Sequence, residues 1–120
     1  MEMSEEAIDL NEVLERVQDD KVLLLELLDI FQEDYVQKRS VLKNSLTQKD
    51  SEQIKAIAHS LKGASGNISA KKLHVSFMKL EQMAQKNDFA PMHSLVSEID
   101  RQFSELEVFA KKLNVDFKKV

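Results

Sequence analysis

The chain has 120 residues, 42% hydrophobic and 32% charged, with a net charge of −4. That is the length of one domain with enough apolar material to close a core, which argues against disorder. The acidic balance gives no basic stripe for nucleic acid, the lysine pairs at 71–72, 111–112 and 118–119 being too small for that.

With no cysteine there is no disulfide framework, thiolate metal site or cysteine nucleophile. No apolar run reaches membrane-span length, and the acidic start Met1-Glu2-Met3-Ser4-Glu5-Glu6 does not read as a signal or transit peptide, so a cytoplasmic protein is expected. Two glycines and one proline are too few for the turns of a β-sheet protein. The composition predicts an all-α chain.

Five helical segments follow. A short one spans about Leu10 to Val17, with Asp9 as cap, Glu12 as its capping-box partner and Leu10, Leu14 and Val17 as its apolar stripe. Asp19 opens a long second helix to about Thr47, carrying Leu24, Leu27, Leu28, Phe31, Tyr35, Leu42 and Leu46 at helical spacing. Its run Val22 to Leu28 is apolar on several faces, which predicts more than one neighbour. Asp50, with Gln53, opens the third helix, whose Ile54, Ile57, Ala58, Leu61, Ser65 and Ile68 point inward.

Ser69 is placed to cap a fourth helix, about Ala70 to Lys86, with Leu73, Phe77, Leu80 and Ala84 on one face. Asn87-Asp88 marks a turn, and Asp88 is placed to cap a fifth helix with Pro91 in its first turn. There Met92, Ile99, Leu106 and Leu113 recur every seven residues beside Val96, Phe103 and Ala110, the pattern of a bundle seam. Fraying is expected from Asn114 to Val120. Long helices with short connections pack antiparallel, which predicts an antiparallel four-helix bundle with a short additional N-terminal helix. It forms a single domain over 1–120 with an ordered core of about 8–113.

Both glycines fall just after a histidine, in Ala58-His59-Ser60-Leu61-Lys62-Gly63-Ala64-Ser65-Gly66-Asn67. Glycine costs about 1 kcal/mol relative to alanine inside a helix. At helical period Ala56, His59, Gly63 and Gly66 share one face, flanked by Lys55 and Lys62. An imidazole titrates at about 6.5, so near neutrality it is mostly the unprotonated nucleophile and can carry a phosphoryl group on one ring nitrogen. Lys62 and Lys55, one turn to either side, can screen the charge gained, and Gly63 leaves room for another protein's backbone. The bland alternative is a surface histidine beside glycines that serve only helix packing. His74 and His93, which lack the small-residue setting, fit that reading.

Other chemistries find little support. No His-x-x-x-His or Glu-x-x-His pair suggests a metal site, and Glu81 meeting His59 across helices would supply only two ligands. Ser60 and Ser65 lack a nucleophile elbow, and there is no phosphate-cradling glycine loop.

The run His59-Ser-Leu-Lys62-Gly63-Ala-Ser-Gly66-Asn67-Ile68 closely resembles the signature of histidine-containing phosphotransfer (HPt) domains, roughly His-x-Leu-Lys-Gly followed by Ile/Leu-Gly. The segment Leu27 to Asp34 resembles that family's long second helix, and Leu73 to Glu81 the helix after the active one. The likeness extends from about Ile8 to Leu113. One departure is Ser69 where the family often has glycine.

The resemblance implies a phosphorelay intermediate without kinase activity of its own. His59 would accept a phosphoryl group from a receiver-domain aspartate and pass it to another response regulator. Lys62 would be the phosphoryl charge partner, Gly63 clearance for the receiver and Glu81 a group that orients the ring. Lys55, Ala56, Gly63, Gly66, Leu10 and Leu14 would contact the partner, a receiver of a response regulator or hybrid histidine kinase. The chain would hold no cofactor or metal, magnesium belonging to the receiver, and would be a monomer. The alternatives are a receiver-binding or structural helical bundle without the chemistry, and the phosphoacceptor domain of a chemotaxis-type kinase. A chain ending at Val120 without a kinase segment fits a freestanding protein or an excised C-terminal domain better than the last.

Overall fold

The computed structural model describes residues 6–118; the remaining positions, including Val120 of the expected frayed tail, lie outside the described residues. Five helices follow one another: α1 (Leu10–Arg16), α2 (Lys21–Gln48), α3 (Ser51–Asn67), α4 (Lys71–Gln85) and α5 (Met92–Lys118). No strand occurs among the described residues. No described helix is long and apolar enough to cross a membrane.

Aspartates start three of the helices, because a carboxylate accepts from an amide that has no partner inside the helix. Asp9 accepts from the Glu12 amide at 3.1 Å, Asp20 from Leu23 at 3.0 Å and Asp50 from Gln53 at 3.1 Å. The α2 cap is thus Asp20. Asp19, expected there, sits with Gln18 in left-handed backbone that turns the chain from α1 into α2. Neither Glu12 nor Gln53 turns back to complete a capping box. Glu12 accepts from the Ser69 hydroxyl at 2.6 Å, and Gln53 from Ser45.

Ser69 does not cap α4 either. It is buried in left-handed backbone, and the cap position falls to Ala70, which has no side-chain acceptor to offer. Pro91 lies one residue ahead of α5, whose entry is a turn closed by the Met92 amide on the Phe89 carbonyl; Asp88 is too far upstream to cap it. The α5 helix does not fray at Asn114. It continues to Lys118, with Phe117 half-buried against the core and the Lys21 ammonium over its ring at 5.3 Å. Along the Val22–Leu28 run Leu24 and Leu28 are buried and Leu25 and Leu27 pack half-buried against the core, whereas Val22 is exposed; α2 has α1, α3 and α5 as neighbours, more than one as expected.

Helices α2 to α5 close a four-membered ring of neighbours, α2 against α3, α3 against α4, α4 against α5 and α5 against α2. Cross-helix pairs show the antiparallel register. Phe31 meets Phe103 while Tyr35 stacks on Phe103 and bonds Asp100, so α2 runs up as α5 runs down. Ser76 bonds Gln102 and Lys72 pairs with Glu105 in the same descending order between α4 and α5. The seam expected along α5 is buried throughout, from Met92 to Leu113, and meets Leu24, Leu28, Leu61, Phe77 and Leu80 in one apolar core. Burying such side chains is worth about 1.5–3 kcal/mol each and holds the bundle together. The short α1 closes one end, with Ile8 and Val13 fully buried.

Candidate functional site

The inward set of α3 (Ile54, Ile57, Ala58, Leu61 and Ser65) is buried, which turns the opposite stripe of that helix to solvent. His59 lies on the stripe, and its side chain remains 69% exposed. Glu81 reaches it from α4 because Leu73, Phe77, Leu80 and Ala84 fix the rotation of α4 by facing the core.

One carboxylate holds two partners. Glu81 Oε2 lies 2.9 Å from His59 Nδ1, and Oε1 lies 2.7 Å from the Lys62 ammonium. The hydrogen bond from Lys62 is the main reason the Glu81 carboxyl sits below its usual value; partial burial opposes this and the bond to His59 adds to it. A carboxylate so stabilised is an acceptor only, which assigns the ring hydrogen of neutral His59 to Nδ1 and leaves the lone pair on Nε2. Lys62, expected as the charge partner of the phosphoryl group, has its ammonium set against Glu81.

A shallow depression beside the imidazole is lined by Glu52, Lys55, Ala56, His59 and Glu81. It brings together four of the expected residues: Lys55, Ala56, His59 and Glu81. Gly63 lies one turn further along α3 and is exposed, with open space where a Cβ would stand.

Gly66, expected on the same open face, has another surrounding. A Cβ there would lie 3.1 Å from Nδ1 of His74, so its bareness serves the α3–α4 crossing. His74, read as a bland surface residue, packs in this notch and hydrogen-bonds the Lys62 carbonyl at 2.8 Å. Arg16 donates to the Gly66 carbonyl at 2.9 Å. No signal in the one-dimensional pattern marks these contacts, which join positions 12 and 50 residues apart.

Leu10 and Leu14 are half-buried against the core. Their helix is fastened at the far end of α3, where Arg16 meets Gly66 and the Asp9 amide donates to the Ser69 carbonyl. Gly66 is two turns, roughly 10 Å, from His59 along the helix axis. The two leucines thus belong to a more distant part of the surface than Ala56 and Gly63. Among the described residues no group of three or more histidine, aspartate or glutamate side chains is placed to hold a metal ion.

A solvent-facing imidazole with one nitrogen engaged and the other presented, cations beside it and a bare stretch of helix next to it, is an arrangement for nucleophilic group transfer between proteins. The model of the Hpt domain matches residues 26–108. Among solved structures, the crystal structure of histidine-containing phosphotransfer protein B (HptB) from Pseudomonas aeruginosa PAO1 matches with a TM-score of 0.81 at 26% identity, over 88% of this chain and 92% of that one. No curated protein matches the chain.

Proposed function

Since the chain belongs to the Hpt domain family, a phosphorelay intermediate in two-component signalling, we propose that His59 is the side chain that carries its phosphoryl group. The observation that supports this most directly is the exposed ring with Nδ1 held by Glu81 at 2.9 Å. The Nε2 lone pair attacks the phosphorus of a receiver's aspartyl phosphate. The Nε2–P bond forms as the P–O bond to the aspartate breaks, and the aspartate leaves as a carboxylate. Transfer to the next receiver is the same exchange in reverse, with the second aspartate as nucleophile. Glu81 keeps the ring oriented and its hydrogen on Nδ1 during both steps.

Little machinery beyond positioning and charge is needed for this reaction. The protein acts as a shuttle and not as a kinase. In this reading its partners are receiver domains of response regulators or of a hybrid kinase, and any magnesium ion used in transfer belongs to the receiver. Ala56 and Gly63 form the near part of the docking face and Leu10 and Leu14 its outer edge. Lys62 serves the phosphoryl group with an ammonium whose charge is shared with Glu81, two of its three N–H donors remaining for the phosphoryl oxygens.

The test is transfer from a panel of phosphorylated receiver domains to wild type and to His59→Gln. Acid-labile, base-stable label on wild type alone is the expected result. Label on the His59→Gln protein sinks the assignment.

A further inference from the structure

We propose that Lys55 is a further cation that meets the phosphoryl group on His59, beside Lys62, whose charge is shared with Glu81. This rests on the reading of His59 as phosphoacceptor and adds a catalytic residue to it. The Lys62 ammonium is 2.7 Å from Glu81, and Lys62 does not line the depression beside the ring. Lys55 lines that depression together with His59, is half-buried, and makes no ion pair among the described residues. One helical turn separates it from His59, so both side chains project from the same stripe of α3.

The other charges facing the depression are the carboxylates of Glu52 and Glu81. A phosphoryl group arriving there brings two further negative charges or nearly so. With Glu81 balanced by Lys62, Lys55 is the remaining ammonium in the depression. A flexible four-carbon stem lets it follow the phosphorus from the donor oxygen to Nε2. It steadies charge on the equatorial oxygens in the transition state, where phosphoryl transfer gains most from a cation.

Phosphoramidate separates this role from docking, because it delivers phosphate without a receiver. In that reaction the Nε2–P bond forms, the P–N bond of the donor breaks, and ammonia leaves. Lys55→Gln is expected to slow labelling of His59 by phosphoramidate about fivefold, the effect of losing one nearby charge in a solvated site, and Lys55→Arg to stay within about twofold of wild type. In a Glu81→Gln background Lys62 is released, and the loss on adding Lys55→Gln is expected to shrink below about twofold. An unchanged phosphoramidate rate in Lys55→Gln overturns the proposal, and if receiver transfer alone is slowed Lys55 is a docking contact only. Absence of label on wild type, or label surviving in His59→Gln, defeats the underlying site assignment instead and is told apart by those two controls.

Discussion

At the scale of the residue, the two glycines of α3 look alike in sequence and do different things. Gly63 faces open space, so a longer side chain there is tolerated by the fold and obstructs only what approaches from outside. Gly63→Gln is expected to weaken receiver binding about tenfold, at unchanged or slightly raised stability because glycine is a poor helix former; titration calorimetry with unaltered affinity would remove Gly63 from the docking face. Gly66 abuts the His74 ring at 3.1 Å. Alanine there gains about 1 kcal/mol of helix propensity and loses part or all of it in displacing the ring. Gly66→Ala is therefore expected to be less stable than Gly63→Ala in thermal unfolding, and the reverse order would mean that the α3–α4 crossing relaxes freely. His59 illustrates the limit of residue-level reading: its exposed, small-residue setting was legible from its neighbours, but which nitrogen is presented depends on Glu81, 22 positions away.

At the scale of the element, the starts of α1 and α3 were legible, since a cap and its amide are three residues apart. Asp50→Ala removes the acceptor for the Gln53 amide and is expected to cost about 1 kcal/mol in denaturant unfolding. A shift indistinguishable from zero would show the amide satisfied by water at no loss. The start of α4 departed from expectation because the chain there serves a tertiary contact, and that of α5 because a local turn sets it. Ser69 is turned into the corner where α1 lands, and its hydroxyl reaches Glu12. That bond, then the one from Lys71, holds the Glu12 carboxyl below its ordinary value. A depressed carboxylate contributes stability that is fully present above the ordinary value of about 4.5 and is lost as pH falls through its own lower one. Glu12→Gln is expected to flatten the stability profile below that pH and leave its slope between 5 and 8 unchanged; a profile parallel to wild type would show that the corner carries no linkage.

At the scale of the whole molecule, the site and the stability of the fold reside in different atoms. Phe77 is fully buried between α4 and its neighbours, and Tyr35 approaches its ring at 6.2 Å. Phe77→Ala is expected to cost about 3–5 kcal/mol, a large share of a small domain's stability. His59→Gln, on the exposed stripe, is expected to stay within about 0.5 kcal/mol of wild type. Chemical denaturation of the two proteins measures this, and a large loss in His59→Gln would tie the ring to the core. The α2–α5 pair carries its own polar clamp, where Arg39 holds both oxygens of Asp100 at 2.9 Å and the Tyr35 hydroxyl donates to the same carboxylate. Burial pushes the Asp100 carboxyl up, but the Arg39 and Tyr35 hydrogen bonds outweigh it and keep the net value below normal. The same burial, with the carboxylate beside it, pushes the Tyr35 hydroxyl above its ordinary range.

Periodicity alone determined the helices, the buried faces of α2 to α5 and the exposure of His59, because each is set by neighbours three or four residues apart and by the need to remove apolar surface from water; in α1 the buried residue is Val13, with Leu10, Leu14 and Val17 half-buried around it. The run from His59 to Ile68, with the segments Leu27 to Asp34 and Leu73 to Glu81, likewise carried the family resemblance. What only the tertiary structure decided is where charges and ring nitrogens end up. Glu81 takes Lys62 and Nδ1 together, His74 fills the space over Gly66, and Ser69 leaves its cap position for Glu12. Hydrogen bonds and ion pairs of this kind are directional and reach across helices. They depend on crossing angles and rotations that the whole core sets, and no local pattern encodes them.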